Sequence, residues 1–510
     1  MASGAHAKRR ARVKPNGNYQ GLRDANERAF PHLLCYHLYN SHTTPVQGST
    51  NMELRHRPQY HFLPLANWMN DPNGLIQWQG IYHLFYQHHP HGPGWADMHW
   101  GHATSRDLVH WTHQPIALAP TPGGPDKDGV FSGCAIDHDG VPTLVYTGVR
   151  PEVQCLATSD NELIVWQKSP RNPVIAGPPE GLDVTGFRDP YVWREDDGWY
   201  MVLGSGIRGQ GGMVMLYRSS NLYEWEYLGP LCQGSLEETG HNWECPNFLP
   251  LGDRHLLIFS PEPFRQAHYY LGRYAGHRFT PEAHGLLDYG GLYYAPQAFF
   301  NEGDRCICFG WLLEGRTEEA YRAAGWAGVQ SLPRELSLAP DGSLRQRPII
   351  QLESLRRDNV HMERRRVEGE IWLDEVRGTC LEICAEFDTQ DAHTVGLTVR
   401  ASPDGAERTT IVYDAQRHEL VVDSRAASIL PETEGRRAVA PLELGDEPLA
   451  LRLFLDESVI EVFANERVCM TARVYPNRED SVAVALTASG GPARLLSWDS
   501  WRMDSIWKSR

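Results

Sequence analysis

The stretch SRDLVHW (residues 105–111) returns as SDNELIVW (159–166) and again as SSNLYEW (219–225). In each copy a serine opens a polar turn, a leucine follows, and a tryptophan closes it after a strand-like run. The closing residues Trp111, Trp166 and Trp225 lie 55 and 59 positions apart. Four short strands with their turns fill such an interval, which is the size of one propeller blade. Residues 56–350 divided by that period give about five blades.

The surrounding texture agrees. Runs such as GIYHLFYQ (80–87), TLVYTG (143–148), GWYMVLGS (198–205) and HLLIFS (255–260) are each bounded by Gly, Pro, Asn or Asp. Residues 1–55 are polar and aperiodic and read as a tail. Residues 351–366 are charged and read as a connecting helix or linker. From 367 to 510 apolar and polar residues alternate more cleanly, and RLFLDESVIEVF reads as a hairpin around Asp456, Glu457 and Ser458. The predicted fold is therefore all-β: a five-bladed β-propeller over 56–350, then a C-terminal β-sandwich over 367–510.

The 510 residues carry 48 Lys and Arg against 64 Asp and Glu, a formal charge of −16. That balance argues against a nucleic-acid partner, and no apolar run approaches a membrane span. Ten cysteines are scattered singly and form no Cys-x-x-Cys pair. Dispersed thiols, with a basic N-terminus that lacks an apolar run and so no signal peptide, lead to the expectation of a cytoplasmic protein. The histidine-rich run HHPHGPGWADMHWGH (88–102) has no standard ligand spacing, so neither metal nor cofactor is expected. A monomer and a homodimer are equally compatible with the sequence.

Three acids stand close to prolines: Asn70-Asp71-Pro72, Arg188-Asp189-Pro190 and Glu244-Cys245-Pro246. Taken alone, Asp71 in NWMNDPNGL is a turn residue, because Asp-Pro and Asn-Gly are turn chemistry. The spacing changes that reading. Asp71 and Asp189 are 118 positions apart, two blade periods, and Glu244 follows Asp189 by 55. The vacant slots of the same phase fall at VFSG (130–133) and LYYAPQ (292–297). Positions in phase converge around a propeller axis, so three carboxylates are expected in one cleft, among Trp68, Trp95, Trp100, Phe131, Tyr294 and Trp311. Two carboxylates flanking a sugar linkage are what glycoside hydrolysis requires, and a third can stabilise charge and raise a neighbour's pKa.

At these motifs the chain resembles glycoside hydrolase family 32, the invertase and fructanase family. The segments WMNDPNGL, LFYQHHP, MHWGHATSRDLVHW, VFSG, FRDP, WECPN, LDYGGLYYAPQ and WAGVQSLPREL occur in the family's order over about residues 58–505. The resemblance implies Asp71 as nucleophile, Glu244 as acid/base and Asp189 as transition-state stabiliser. It implies Asn70, Gln87, Trp95, Phe131, Ser132, Arg188, Tyr294 and Trp311 as the lining of a fructose pocket. The implied activity is a retaining β-fructofuranosidase acting on sucrose and short fructo-oligosaccharides, a small carbohydrate substrate. Several segments look most like bacterial intracellular sucrose or sucrose-6-phosphate hydrolases, whereas GWLLEG (310–315) departs from the plant invertase pattern. A fructosyltransferase or an exo-fructanase would use the same three carboxylates. A catalytically silent sugar-binding propeller would have no need to keep all three.

Overall fold

The computed structural model describes residues 55–507, apart from 161, 432 and 434, so the tail expected over 1–55 lies almost wholly outside the described residues. Five small antiparallel sheets form the propeller. Their innermost strands are Asn67–Trp78, Val130–His138, Val184–Glu195, Asn242–Leu251 and Tyr293–Phe300, in blades one to five.

The repeated Ser…Leu…Trp turn joins the third and fourth strands of blades one, two and three. Leu108, Leu163 and Leu222 have φ of 66°, 55° and 66°. The indole N–H of Trp111, Trp166 and Trp225 donates to the carbonyl of that leucine at 3.2, 3.0 and 2.8 Å. In the first copy the Asp107 carboxylate accepts the amides of Val109 and His110; in the third, the Asn221 side chain accepts those of Tyr223 and Glu224. Side chains that replace the backbone's own partners make this turn legible in sequence. Blade four closes instead with a tight turn at Gly276 and His277, both at positive φ, so the motif stops at three copies.

Apolar side chains fill the wedges between blades. Phe85, Trp100, Leu144 and Tyr146 pack between blades one and two. Cys134, Ile136, Met201 and Met213 pack between two and three, and Tyr200, Trp243, Phe248 and Phe259 between three and four. Burying each such side chain contributes roughly 1.5–3 kcal/mol. The ring closes where Trp326–Ala327 pairs in parallel with Asn67 and Trp68 of blade one. Gly328 makes this closure possible: at φ 85°, a Cβ there would stand 1.8 Å from the Met69 carbonyl oxygen. The chain then turns back, so that Val329–Gln330 pairs within blade five.

The remaining strands form a strongly curved sheet around its longest strand, Ala483–Met503, closing over an apolar interior that includes Val395, Leu397, Leu453, Val462 and Trp498. The stretch expected to be a connecting helix or linker is built into this structure. Ile350–Leu355 is a 3₁₀ helix and Arg356–Met362 pairs with Ala483–Met503, so its charges sit on an exposed strand face. The expected hairpin forms between Leu449–Asp456 and Val459–Ala464.

Propeller and sandwich meet at a buried polar chain. Asp456 accepts the backbone amides of Gln59, Tyr60 and His61, and its Oδ2 lies 2.8 Å from His61 Nδ1. His61 Nε2 lies 3.1 Å from Glu461. Arg334, from blade five, donates to Glu461 at 2.6 Å and to Asp288 at 2.9 Å. All five side chains are at most 1% exposed. Breaking such a chain by removing one partner leaves buried charge uncompensated. Arg334→Met is expected to lower unfolding free energy by about 3–5 kcal/mol, read by chemical denaturation, whereas a loss below about 1 kcal/mol would mean that the chain does not bear on stability.

Candidate active site

Every innermost strand breaks register with its neighbour at the same place. In blades three, four and five two residues oppose one: Asp189-Pro190, Cys245-Pro246 and Ala295-Pro296. In blade one the extra pair is Asn70-Asp71, just before Pro72, and in blade two Ser132 alone is extra. These are β-bulges, which bend a strand and re-aim its side chains. Proline, which has no amide hydrogen to offer the ladder, is tolerated at such sites. Asp189, Cys245 and Ala295 sit at φ of 63°, 47° and 46°, a strained region for side-chain-bearing residues that is enriched at functional sites.

The bulges sort the candidates into two layers around the axis. Asp71, Ser132, Asp189, Cys245 and Ala295 share the bulge position. Asn70, Phe131, Arg188, Glu244 and Tyr294 stand one residue earlier. Glu244 is thus one residue ahead of the phase shared by Asp71 and Asp189, and belongs with Arg188 and Tyr294 instead.

In the earlier layer, neighbouring blades clamp Glu244 from both sides. Arg188 of blade three donates to its Oε1 through Nε at 3.1 Å and Nη2 at 2.9 Å. Tyr294 of blade five donates its hydroxyl to Oε2 at 2.6 Å. Arg188 also donates to Glu152 at 3.0 Å and to Glu262 at 3.1 Å. Burial works against the guanidinium charge, but the carboxylates around it hold Arg188 firmly cationic, and burial beside Glu244 pushes the Tyr294 phenol far above its usual range.

In the bulge layer, Ser132 donates to Asp71 Oδ2 at 2.6 Å and Asn70 Nδ2 donates to Oδ1 at 3.1 Å. The Cys245 amide donates to Asp189 Oδ2 at 2.9 Å, and its Sγ lies 3.5 Å from Asp71 and 3.6 Å from Asp189. Burial pushes the Asp71 carboxyl up to about 6; Ser132 pulls against this, and Glu244 adds to it. Burial also raises Asp189, with Arg188 opposing and Glu244 and Asp71 reinforcing. Two buried aspartates thus sit above the usual carboxylate range, and Arg188 is the counter-charge in the same cleft.

Other expected residues occupy different places. Trp311 packs edge-on to Tyr294 and Trp68, and Trp68 donates its indole N–H to Asn70 Oδ1 at 2.7 Å, orienting that amide. Trp95 is 53% exposed and meets the Phe131 ring edge-on at 5.9 Å, at the mouth of the cleft. Gln87 is buried, and its amide nitrogen donates to Asn73 and to the Val130 carbonyl, leaving its oxygen as the group not so occupied. Trp100 is fully buried core. Of the histidines in the 88–102 run, His88, His89 and His99 each set Nδ1 against a backbone carbonyl, and His102 is buried with Nε2 3.0 Å from His83 Nδ1. Among the described residues no group of three His, Cys, Asp or Glu is arranged to hold a metal ion, and no helix is long and apolar enough to cross a membrane. Sequence reasoning missed Glu152 and Glu262. Neither lies on an innermost strand, so neither shares the phase that revealed the others.

Comparison with known proteins bears on this geometry. "Glycosyl hydrolases family 32 N-terminal domain" matches residues 61–348, and "Glycosyl hydrolases family 32 C terminal" matches 351–502. A sucrose-6-phosphate hydrolase of Escherichia coli is 38% identical over 88% of this chain and 94% of its own. Among solved structures, fructan 1-exohydrolase IIa from Cichorium intybus superposes with a TM-score of 0.81 at 28% identity, covering 90% of this chain and 98% of its own. A beta-fructofuranosidase of Bombyx mori gives 0.75 at 30% identity, over 89% and 96%.

The hydrogen bond from Ser132 sets an expected pH response. Ser132→Ala removes a contact that lowers the Asp71 pKa, so the carboxyl rises above about 6 and the acid limb of kcat/KM moves to higher pH. The shift should be about one pH unit, equivalent to roughly 1.4 kcal/mol, within the range of a hydrogen bond to a charged group. An unmoved limb would show that Asp71 does not govern it.

Proposed function

From the premise that the chain belongs to glycosyl hydrolases family 32, we propose how its cleft releases a terminal β-fructofuranosyl unit from sucrose and short fructo-oligosaccharides. The chain is a glycoside hydrolase of the β-fructofuranosidase family, and retention of configuration is a general property of that family. In the proposed first step Asp71 attacks the anomeric carbon of the fructosyl unit. The bond to the leaving oxygen breaks, and that oxygen takes a proton from Glu244. The product is a fructosyl ester on Asp71. A water molecule then gives its proton to Glu244 and attacks the same carbon, freeing fructose and regenerating the Asp71 carboxylate.

One observation carries the assignment: the two carboxylates sit in separate hydrogen-bond environments that suit different tasks. Both oxygens of Glu244 are fixed, by Arg188 on one side and Tyr294 on the other, as a group that must return to the same place in both steps requires. Asp71 is held by short polar donors, Ser132 and Asn70, that favour its charged form. Asp189, fixed by the Cys245 amide, is placed in the role of stabiliser of the oxocarbenium-like charge and partner to sugar hydroxyls. Asn70, Phe131, Tyr294, Trp311 and, at the mouth, Trp95 supply the mixed polar and flat apolar lining that sugar rings take. A cytoplasmic location is part of this reading, supported by nine free thiols among the described residues.

The test is a product analysis with sucrose, 1-kestose, inulin and levan, resolving free fructose from longer transfer products. Free fructose from sucrose and kestose is expected. Transfer products as the main outcome would replace the hydrolase reading with a transferase that uses the same groups. Asp71→Asn should lower kcat by at least about a thousandfold and abolish ester formation in mass spectra. Glu244→Gln should lose roughly a hundred- to ten-thousand-fold, and least on substrates whose leaving group needs no proton. Turnover undiminished in either variant would remove that residue from its role.

A further inference from the structure

We infer that the leaving-group side of this pocket selects an uncharged sugar over its phosphorylated counterpart, with Glu152 and Glu262 as the residues that set the preference. The inference rests on the hydrolase reading above, since it takes Glu244 to mark the position of the leaving oxygen.

Arg188 would be the natural anchor for a phosphate, and it is already spent. Its Nε and Nη2 go to Glu244, its Nη1 to Glu152, and its Nη2 also to Glu262. Three carboxylates share one guanidinium, with Asp71 and Asp189 close behind, so the collar carries excess negative charge. Both outer carboxylates are fixed rather than free to swing away. Glu152 Oε2 accepts the Phe187 amide at 2.6 Å, and Glu262 Oε2 accepts from Asn242 Nδ2 at 3.1 Å. Both also face solvent, with side-chain exposures of 25% and 38%.

Beyond Arg188, His241 Nε2 stands 3.8 Å from Glu262 Oε2. Arg150 and Arg265 are exposed and close in sequence to Glu152 and Glu262, and serve as the cations to remove in the test. A phosphate monoester brings about 1.5 to 2 negative charges at neutral pH, and like charges set side by side across an interface are strongly disfavoured. A neutral glucosyl unit meets the same collar as a set of hydrogen-bond acceptors.

The test compares kcat/KM for sucrose and for sucrose-6-phosphate on the full chain as sodium chloride is raised. Sucrose is expected to be preferred by about tenfold or more, a factor that corresponds to about 1.4 kcal/mol. Salt should raise kcat/KM for sucrose-6-phosphate, because it screens a repulsion, and leave sucrose unchanged. Glu262→Gln should narrow the ratio between the two sugars, whereas a merely structural role would lower both together. A kcat/KM for sucrose-6-phosphate that falls with salt, or that alone drops in Arg150→Ala or Arg265→Ala, would overturn this inference and leave the hydrolase reading standing. No fructose from either sugar would overturn both.

Discussion

Five innermost strands surround one axis, and each leaves its regular ladder at the same level. The break in register falls at one phase, at Asp71, Ser132, Asp189, Cys245 and Ala295. The bulge bends the strand away and turns one or two side chains toward the cleft. Proline follows the bend in four blades and a positive φ marks it in three, and the reactive groups align because the bend recurs at one phase. Small or locally hydrogen-bonding side chains occupy the left-handed positions, because a bulky residue there would add strain.

Crowding at the axis is electrostatic. The bend brings two aspartates into one layer, and the position before it brings Glu244 between Arg188 and Tyr294. Burial raises the aspartate pKa values, and hydrogen bonds from Ser132, Asn70 and the Cys245 amide pull them back. A nucleophile needs its negative charge and an acid needs its proton, so one cleft must hold like groups in unlike surroundings. Asp71 comes from the bulge layer of blade one and Glu244 from the earlier layer of blade four, which gives the two different surroundings. Arg188, with three carboxylate partners, supplies the counter-charge that holds this cluster together.

Away from the axis, the chain Asp456–His61–Glu461–Arg334–Asp288 ties the sandwich to blade five and to the segment that enters blade one. Nothing in the alternation of residues 367–510 announced this. Asp456 was legible as a hairpin residue and proved to be a buried acceptor of three backbone amides. A turn acid and a buried anchor look alike in one dimension, because the partners of Asp456 lie almost 400 residues away. Residues 351–366 begin in the 3₁₀ helix and continue as a strand, which was not legible for a related reason: a charged, exposed strand at a sheet face resembles a linker until its pairing with Ala483–Met503 is seen.

What the sequence determined by itself was everything with a local cause or a period. The Ser…Leu…Trp turn forms from its own side chains, so its recurrence counted blades, and the spacing of Asp71, Asp189 and Glu244 placed them in one cleft. Only the tertiary structure decided how those groups are held. The one-residue offset of Glu244, its clamp between Arg188 and Tyr294, and the thiol of Cys245 set between two aspartates depend on neighbouring blades. Glu152 and Glu262 come from a loop and a second strand, outside the repeat phase. Period reports which residues reach the axis. It carries no information about which of them touch, because contact across blades is set by how sheets pack and bend, and not by position along any one strand.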